Sequence, residues 1–483
     1  MPVVRGREGT SAEQLAPLHL ITASPTDSLL ASFIDAACVP LDASHASGSL
    51  ERAEVIRATH PDLASGSIHA AAVLGDDVAV RRFLALDPAH ARAKAGPRDW
   101  DALTHLCFSR YLRLDEARSD GFVRAAAALL DAGADPNTGW TEPRHTPEPV
   151  SESALYGAAG VAHHAGLTRL LLDRGANPND EETPYHAPET RDNAALKVLV
   201  ASGKLSEKSL ATMLIRKTDW HDYDGVRLLL DSGVDPNRMT RWGKTALHSA
   251  ILRDNELKIV ELLLDHGADP TLVTTHPDHS GRPVPGRSAM AMAARRGRGD
   301  LLDLFERRDI PVELLGVDRL IAMCARHDRS GVLEAATREP ALRGELMADG
   351  GRLLAEFAGN GNTDGVRHVL DLGVDVGARY EPGDGYFEIP PHSLAIHVAA
   401  WRARHETVKL LIERGSPMNE PDANGRTPLA LAVRACVASY WTHRRSPESV
   451  EALLQAGASV EGVVFPSGYA EVDRLLKRHS TRD

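Results

Sequence analysis

The feature that most constrains this chain is a phrase that keeps returning: a pair of large apolar residues, two further positions, a glycine and a polar turn. It reads LLDAGADPN from Leu129, LLDRGANPN from Leu171, LLDSGVDPN from Leu229 and LLDHGADPT from Leu263. Looser copies follow as VLDLGVDVG from Val369, LIERGSPMN from Leu411 and LLQAGASVE from Leu453. The glycines fall at Gly133, Gly175, Gly203, Gly233, Gly267, Gly373, Gly415 and Gly457. A helix that buries paired leucines must stop before the chain turns, and glycine just past its end takes the left-handed conformation that other residues resist. Asp-Pro-Asn then suits a tight turn. Between these stops lie TPYHA at Thr183, TALHSA at Thr245, SAMAMAA at Ser288, IHVAA at Ile396 and TPLALA at Thr427. In them Thr or Ser caps a second helix and proline fits its first turn.

Two separated phrases recurring in register resemble the ankyrin repeat, whose period is about 33 residues. The resemblance covers roughly residues 64 to 464. It implies an all-α ankyrin-repeat solenoid of stacked helix pairs with hairpin loops, in which each unit buries its apolar faces against its neighbours. About eleven units are expected, several degenerate or carrying insertions. The long interval from Gly267 to Gly373 takes three: Ser288 to Arg308, with Arg308 at the stop position, Val317 to Ala336, and one ending at Gly373. Residues 1–63 are expected to form an N-terminal segment and helical cap, 64–464 the array and 465–483 a C-terminal capping helix.

Net charge is −12, from 55 basic and 67 acidic residues, which disfavours nucleic acid and anionic membranes as partners. The arginine-dense stretch of Arg295, Arg296, Arg298, Arg307 and Arg308 reads as a solvated helix face. Cys38, Cys107, Cys324 and Cys436 are scattered, which argues against a disulfide framework or a zinc site and fits a reducing compartment. No run of 18 apolar residues occurs and no signal-like N-terminus is evident, so a cytoplasmic location is expected. Abundant Ala, Arg and Gly suggest a bacterial gene.

The chain also departs from its own pattern. Segments after Asn137, Pro270 and Val376 lengthen the hairpins, and their prolines and glycines mark loops. They are expected to carry Trp140, His145, His276, His279, Tyr380, Tyr386, Phe387 and His392 to the hairpin edge. Pro188 falls five places after Thr183, which is expected to cap the helix, so that helix should be one turn long or irregular. Its freed backbone groups then need side-chain partners, and such irregularity often sits at functional sites. Polar aromatic residues gather in consecutive units two to six: Tyr156, His163 and His164, Trp220 with His221 and Asp222, and Arg241 with Trp242.

The resemblance implies that the concave groove of the array binds a protein or peptide. The expected contact residues are Trp140, Tyr156, Glu182, Tyr185, His186, Glu189, Arg241 and Trp242. The competing reading is a small-molecule site or acid–base enzyme in the same groove, with Glu182, His186, Glu189 and Tyr156 as its catalytic candidates. No nucleophile elbow, phosphate loop or metal-ligand spacing is present, so no cofactor and no metal are expected. The resemblance implies a hairpin-bonding role for His248 and His397, and Tyr223 and Cys107 are expected in the core.

Overall fold

The computed structural model describes residues 25–142, 149–275 and 286–480. The chain is all-α in its main elements, built from short helix pairs that stack side by side within each of its units. Leucines explain the pairing: Leu229 and Leu230 in the helix Tyr223–Asp231, and Leu262 and Leu263 in Leu257–Asp265, are buried, while Asp231 and Asp265 face water. All eight stop glycines have positive φ, from 65° at Gly203 to 101° at Gly373. Degenerate units use other residues there. After the helix Gly299–Arg307 the left-handed residue is Asp309, one place beyond the expected Arg308.

Two compact units divide the chain: residues 1–183 with 194–199, and residues 184–193 with 200–483. In the first, the helix Ile68–Val73 packs against Ala102–Cys107, which packs against Ala154–Tyr156. The helix Pro25–Ala37 covers Ile68–Val73 and Glu51–Thr59. In the second, Glu207–Asp219 packs on Ala246–Leu252, which packs on Ala289–Arg295. The helix Gly350–Asn360 then packs on Ala395–Trp401, and that on Pro428–Ala438.

One irregularity shapes the second unit. Ala289–Arg295 touches both Gly316–Ala325 and the later helix Gly350–Asn360. Gly297 makes the second contact possible, since a Cβ there would come within 2.8 Å of the Phe357 ring. Asn360 and Asn362 secure it by donating to the carbonyls of Arg296 and Gly297 at 2.9 and 2.7 Å. The degenerate unit beginning at Gly316 is thereby bypassed. Arg296 consequently meets Asp254 at 2.7 Å and Glu356 at 2.8 Å, and Arg402 reaches Asp254 at 2.7 Å. Arg296 and Arg298 are 5% and 8% exposed, so the arginine-dense stretch is in part a buried ionic cluster rather than a solvated face.

The segment after Val376 does not project. Tyr380 is buried and donates to Glu356 Oε1 at 2.8 Å. Phe387 lies under the Arg402 guanidinium at 4.1 Å, and its carbonyl accepts from Trp401 Nε1 at 2.7 Å. Tyr386 reaches back to Asp219 and His221. These rings shed water by folding over the helix turns, where arginines supply flat faces. His392 remains largely exposed, 2.7 Å from Glu381. His145, His276 and His279 lie outside the described residues.

Candidate functional site

The Pro188 segment begins with a cap different from the expected one. Asp180 accepts from the Thr183 amide at 2.8 Å and from its hydroxyl at 2.9 Å, while Thr183 is wholly buried. The helix Glu182–His186 is five residues long and ends before Pro188. Side chains of the helix Glu207–Asp219 bond this helix and the chain after it: Arg216 Nε donates to the Tyr185 carbonyl at 3.3 Å, and Lys217 Nζ to the Thr190 carbonyl at 2.5 Å. Lys217 is fully buried and pairs with Asp222 at 2.8 Å, which also accepts from Asn193 Nδ2 at 2.9 Å. Burial pushes the Lys217 ammonium down from the usual lysine range, and the Asp222 hydrogen bond and charge work against that.

Around this splint the second unit gathers an aromatic and charged patch. Arg216 lies 4.1 Å from the Tyr185 ring centroid and pairs with Glu189 and, at 2.5 Å, with Asp219. Tyr185 is 5.9 Å from Trp242, over which Arg241 sits at 4.8 Å. His186 Nδ1 is 2.8 Å from Glu189 Oε2, and its ring meets Tyr185 edge to face at 4.8 Å. Tyr185, His186, Glu189, Arg241 and Trp242 therefore belong to one cluster. Burial alone would raise the Glu189 carboxyl, but His186 and Arg216 outweigh it and hold that carboxyl below its usual range. A carboxylate stabilised in this way is a poor proton donor at neutral pH.

Trp140, Tyr156 and Glu182 belong to the first unit. Trp140 stands on the strand Gly139–Glu142, paired antiparallel with Val150–Ser153. Its ring turns inward, stacked on Trp100 at 5.2 Å and 5.7 Å from His45, rather than outward at a hairpin edge. The side chain's Nε1 is buried and has no hydrogen-bond partner among the described residues. Tyr156 is 4% exposed, with its hydroxyl 2.8 Å from His45 Nδ1 and its ring 5.8 Å from Phe108. Glu182 is half-buried in the first turn of its helix.

The other histidine candidates have local partners. His164 caps the helix Ala165–Asp173 by accepting from the Leu167 amide at 3.0 Å, and its Nε2 is 2.7 Å from Ser119 Oγ. His248 closes a capping box with Thr245 and bonds the Leu272 carbonyl at 2.9 Å. His397 bonds the Glu420 carbonyl at 2.8 Å. Asp222 caps the helix Tyr223–Asp231, and Tyr223 is half-exposed rather than core, between Arg227 and Lys258. Cys107 is buried, which pushes its thiol above the usual range.

Sequence reasoning missed Arg216, Lys217 and Asp219, and Arg253, which pairs with Asp219 at 2.7 Å, because they sit in or beside ordinary helical runs and several of their partners, Tyr185, Glu189 and Thr190 among them, lie in another repeat. It also missed His45, Trp100 and Phe108. A cleft of about 320 Å³ lies elsewhere in the second unit, between the turns around Arg298, His327 and Asn362. Among the described residues, no helix is long and apolar enough to cross a membrane.

Comparison with known proteins gives a family model described as ankyrin repeats, matching residues 155–274, 213–307 and 354–462, more than half of the chain. Among curated relatives, cyclin-dependent kinase 4 inhibitor B of Bos taurus is 35% identical over 96 residues, covering 19% of this chain and 70% of the relative. L-asparaginase of Dirofilaria immitis is 27% identical over 197 residues, covering 39% of this chain but only 30% of the relative. Among solved structures, the human ASB11 ankyrin repeat domain is 20% identical with a TM-score of 0.24, covering 57% of this chain and 98% of that one.

Proposed function

The chain belongs to the ankyrin-repeat family, and on that premise we propose that it is a binding protein whose second unit holds a peptide segment of a protein partner. The contact residues are Tyr185, His186, Glu189, Arg241 and Trp242. The observation that carries this reading is the run Arg216, Tyr185, Trp242, Arg241, in which each ring carries a guanidinium over it at 4.1 and 4.8 Å. Tyr185 and Trp242 are only half-buried. Rings already held in place lose little freedom on docking, and aromatic residues flanked by arginine are frequent anchors at interfaces. The paired state of Glu189 favours recognition over proton transfer. In this reading Trp140 and Tyr156 serve the interior of the first unit.

In the same reading the helices Pro25–Ala37 and Glu51–Thr59 cap one end of an array spanning 64–464, Ala470–Ser480 caps the other, and the protein works in the cytoplasm. Four buried cysteines, all free, support that location. The test compares the full chain with a Tyr185→Ala/Trp242→Ala variant in affinity capture from cells of its source, followed by binding titration of each captured protein. Proteins that bind the full chain and lose at least tenfold affinity for the variant support the reading. Unchanged affinities, or loss of small metabolites alone, overturn it.

A further inference from the structure

The helix turns of the second unit carry more arginine than their carboxylates balance. Arg298 follows the left-handed Gly297, Arg402 and Arg404 flank the left-handed Ala403, and Arg444 ends the short turn Thr442–Arg444. Arg402 shares Asp254 with Arg296, and Arg298 takes Asp300 at 2.8 Å. Arg404 and Arg444 form no ion pair among the described residues, and the Arg404 Nε donates to the Gly359 carbonyl at 2.9 Å.

Two guanidiniums are left with orphaned donors. Arg402 is 2% exposed and its Nε has no partner, and the NH1 group of Arg444 is buried without one. Both lie over the same ring, Trp441, at 5.0 and 5.9 Å. Buried N–H groups without acceptors cost free energy, so an acceptor belongs here. Burial, and next Arg402, push Arg404 down to about 8 and Arg444 down to about 10, with Arg298 adding to both. A guanidinium keeps its proton at ordinary pH, so the depression marks charge that is buried and crowded by other arginines, opposed in part by Asp254 and, at Arg444, by Glu256. That charge sits in a chain whose net charge is −12.

We propose that Arg298, Arg402, Arg404 and Arg444 form a binding site for a small polyphosphate anion. Planar guanidinium forks match phosphate oxygens in pairs. Two arginines without carboxylates call for at least two negative charges, more than a halide supplies. Arg402 is buried behind the others and contributes charge, while the part-exposed Arg404 and Arg444 are the groups that touch the ligand.

Sodium tripolyphosphate is the probe, added to the full chain and compared with sodium chloride at equal ionic strength. The expected result is a Tm rise of several degrees and saturable one-to-one binding by calorimetry. Both should be lost in Arg404→Gln/Arg444→Gln and kept in Arg227→Gln, a distant exposed control. Calorimetry at 25 °C separates lost binding from lost stability. A wild-type response no larger than that to chloride overturns the proposal, as does an undiminished response of the double variant.

Discussion

Tyr386 donates its hydroxyl to the Asp219 carbonyl at 2.5 Å, joining residues 167 apart in sequence. Its ring carries Arg253 at 4.0 Å, and its oxygen lies 3.2 Å from His221 Nε2. An array in which each unit touches only its neighbours has no such tie, so this contact couples units that would otherwise open separately. Tyr386→Phe keeps the ring under Arg253 and removes the hydroxyl, with an expected cost of about 1 kcal/mol. Tyr386→Ala removes both and should cost about 2–3 kcal/mol. Urea denaturation checks this, and the alanine variant should also show a shallower or split transition.

Lys217 is the buried cation that ties down the chain just after Pro188. It holds the Thr190 carbonyl and the Asp222 carboxylate from a position with no solvent exposure. Lys217→Met keeps the volume but leaves Asp222 facing Asn193 without its cation, an expected loss of about 3–5 kcal/mol. Adding Asp222→Asn removes the stranded charge, so the double variant should be more stable than Lys217→Met alone. Thermal melts of both variants test the order, and a double variant less stable than the single would refute this account.

Much of the scaffold was legible because its punctuation is local. Gly133, Gly175 and Gly233 terminate helices through a conformation that any short window reveals. The same logic failed by a residue or a few where a substitute did the work: Asp309 turns the chain instead of Arg308, and Asp180 caps instead of Thr183. The shortness of Glu182–His186 was visible in Pro188, but its splint was not. Arg216 and Lys217 look like any solvated pair on a helix until the backbone of the preceding repeat, at Tyr185 and Thr190, is placed beside them. The inward fold of Tyr386 was equally hidden, since a loop rich in proline and glycine says where chain leaves a helix and nothing about where it lands.

Burial in the first unit makes an acid-sensitive element of His105. The ring is fully buried, its Nδ1 is 3.0 Å from the Asp101 carbonyl, and its centroid is 5.3 Å from that of His69. Burial, then the neighbouring His69, push it down to about 3, and burial also lowers His69. A folded value below the unfolded one means that the unfolded chain binds the extra proton. The stability contributed by these neutral rings is therefore complete above about pH 6.5 and is lost as pH falls toward 3. His105→Gln should flatten the decline of urea midpoints between pH 6.5 and 4, even if it lowers stability at pH 7.

Asp254 makes the sharpest demand on the second unit. Its carboxylate lies 2.7 Å from both Arg296 and Arg402, with a side chain 4% exposed and a backbone φ of 51°. Burial alone would raise its pKa, but the two arginines outweigh that and hold it far below the usual carboxylate range. Asp254→Asn tolerates the left-handed backbone and keeps the shape, so its effect isolates the charge. Two buried guanidiniums would then share no anion through it, with an expected loss of about 3–5 kcal/mol at pH 7. The sign of the pH dependence follows from the depressed value: the contribution of Asp254 is present above the unfolded carboxyl pKa and is lost as pH falls below it. Wild type and variant should therefore converge in stability as pH drops through about 4 toward 2, a comparison that urea titrations at pH 7, 4 and 3 make directly.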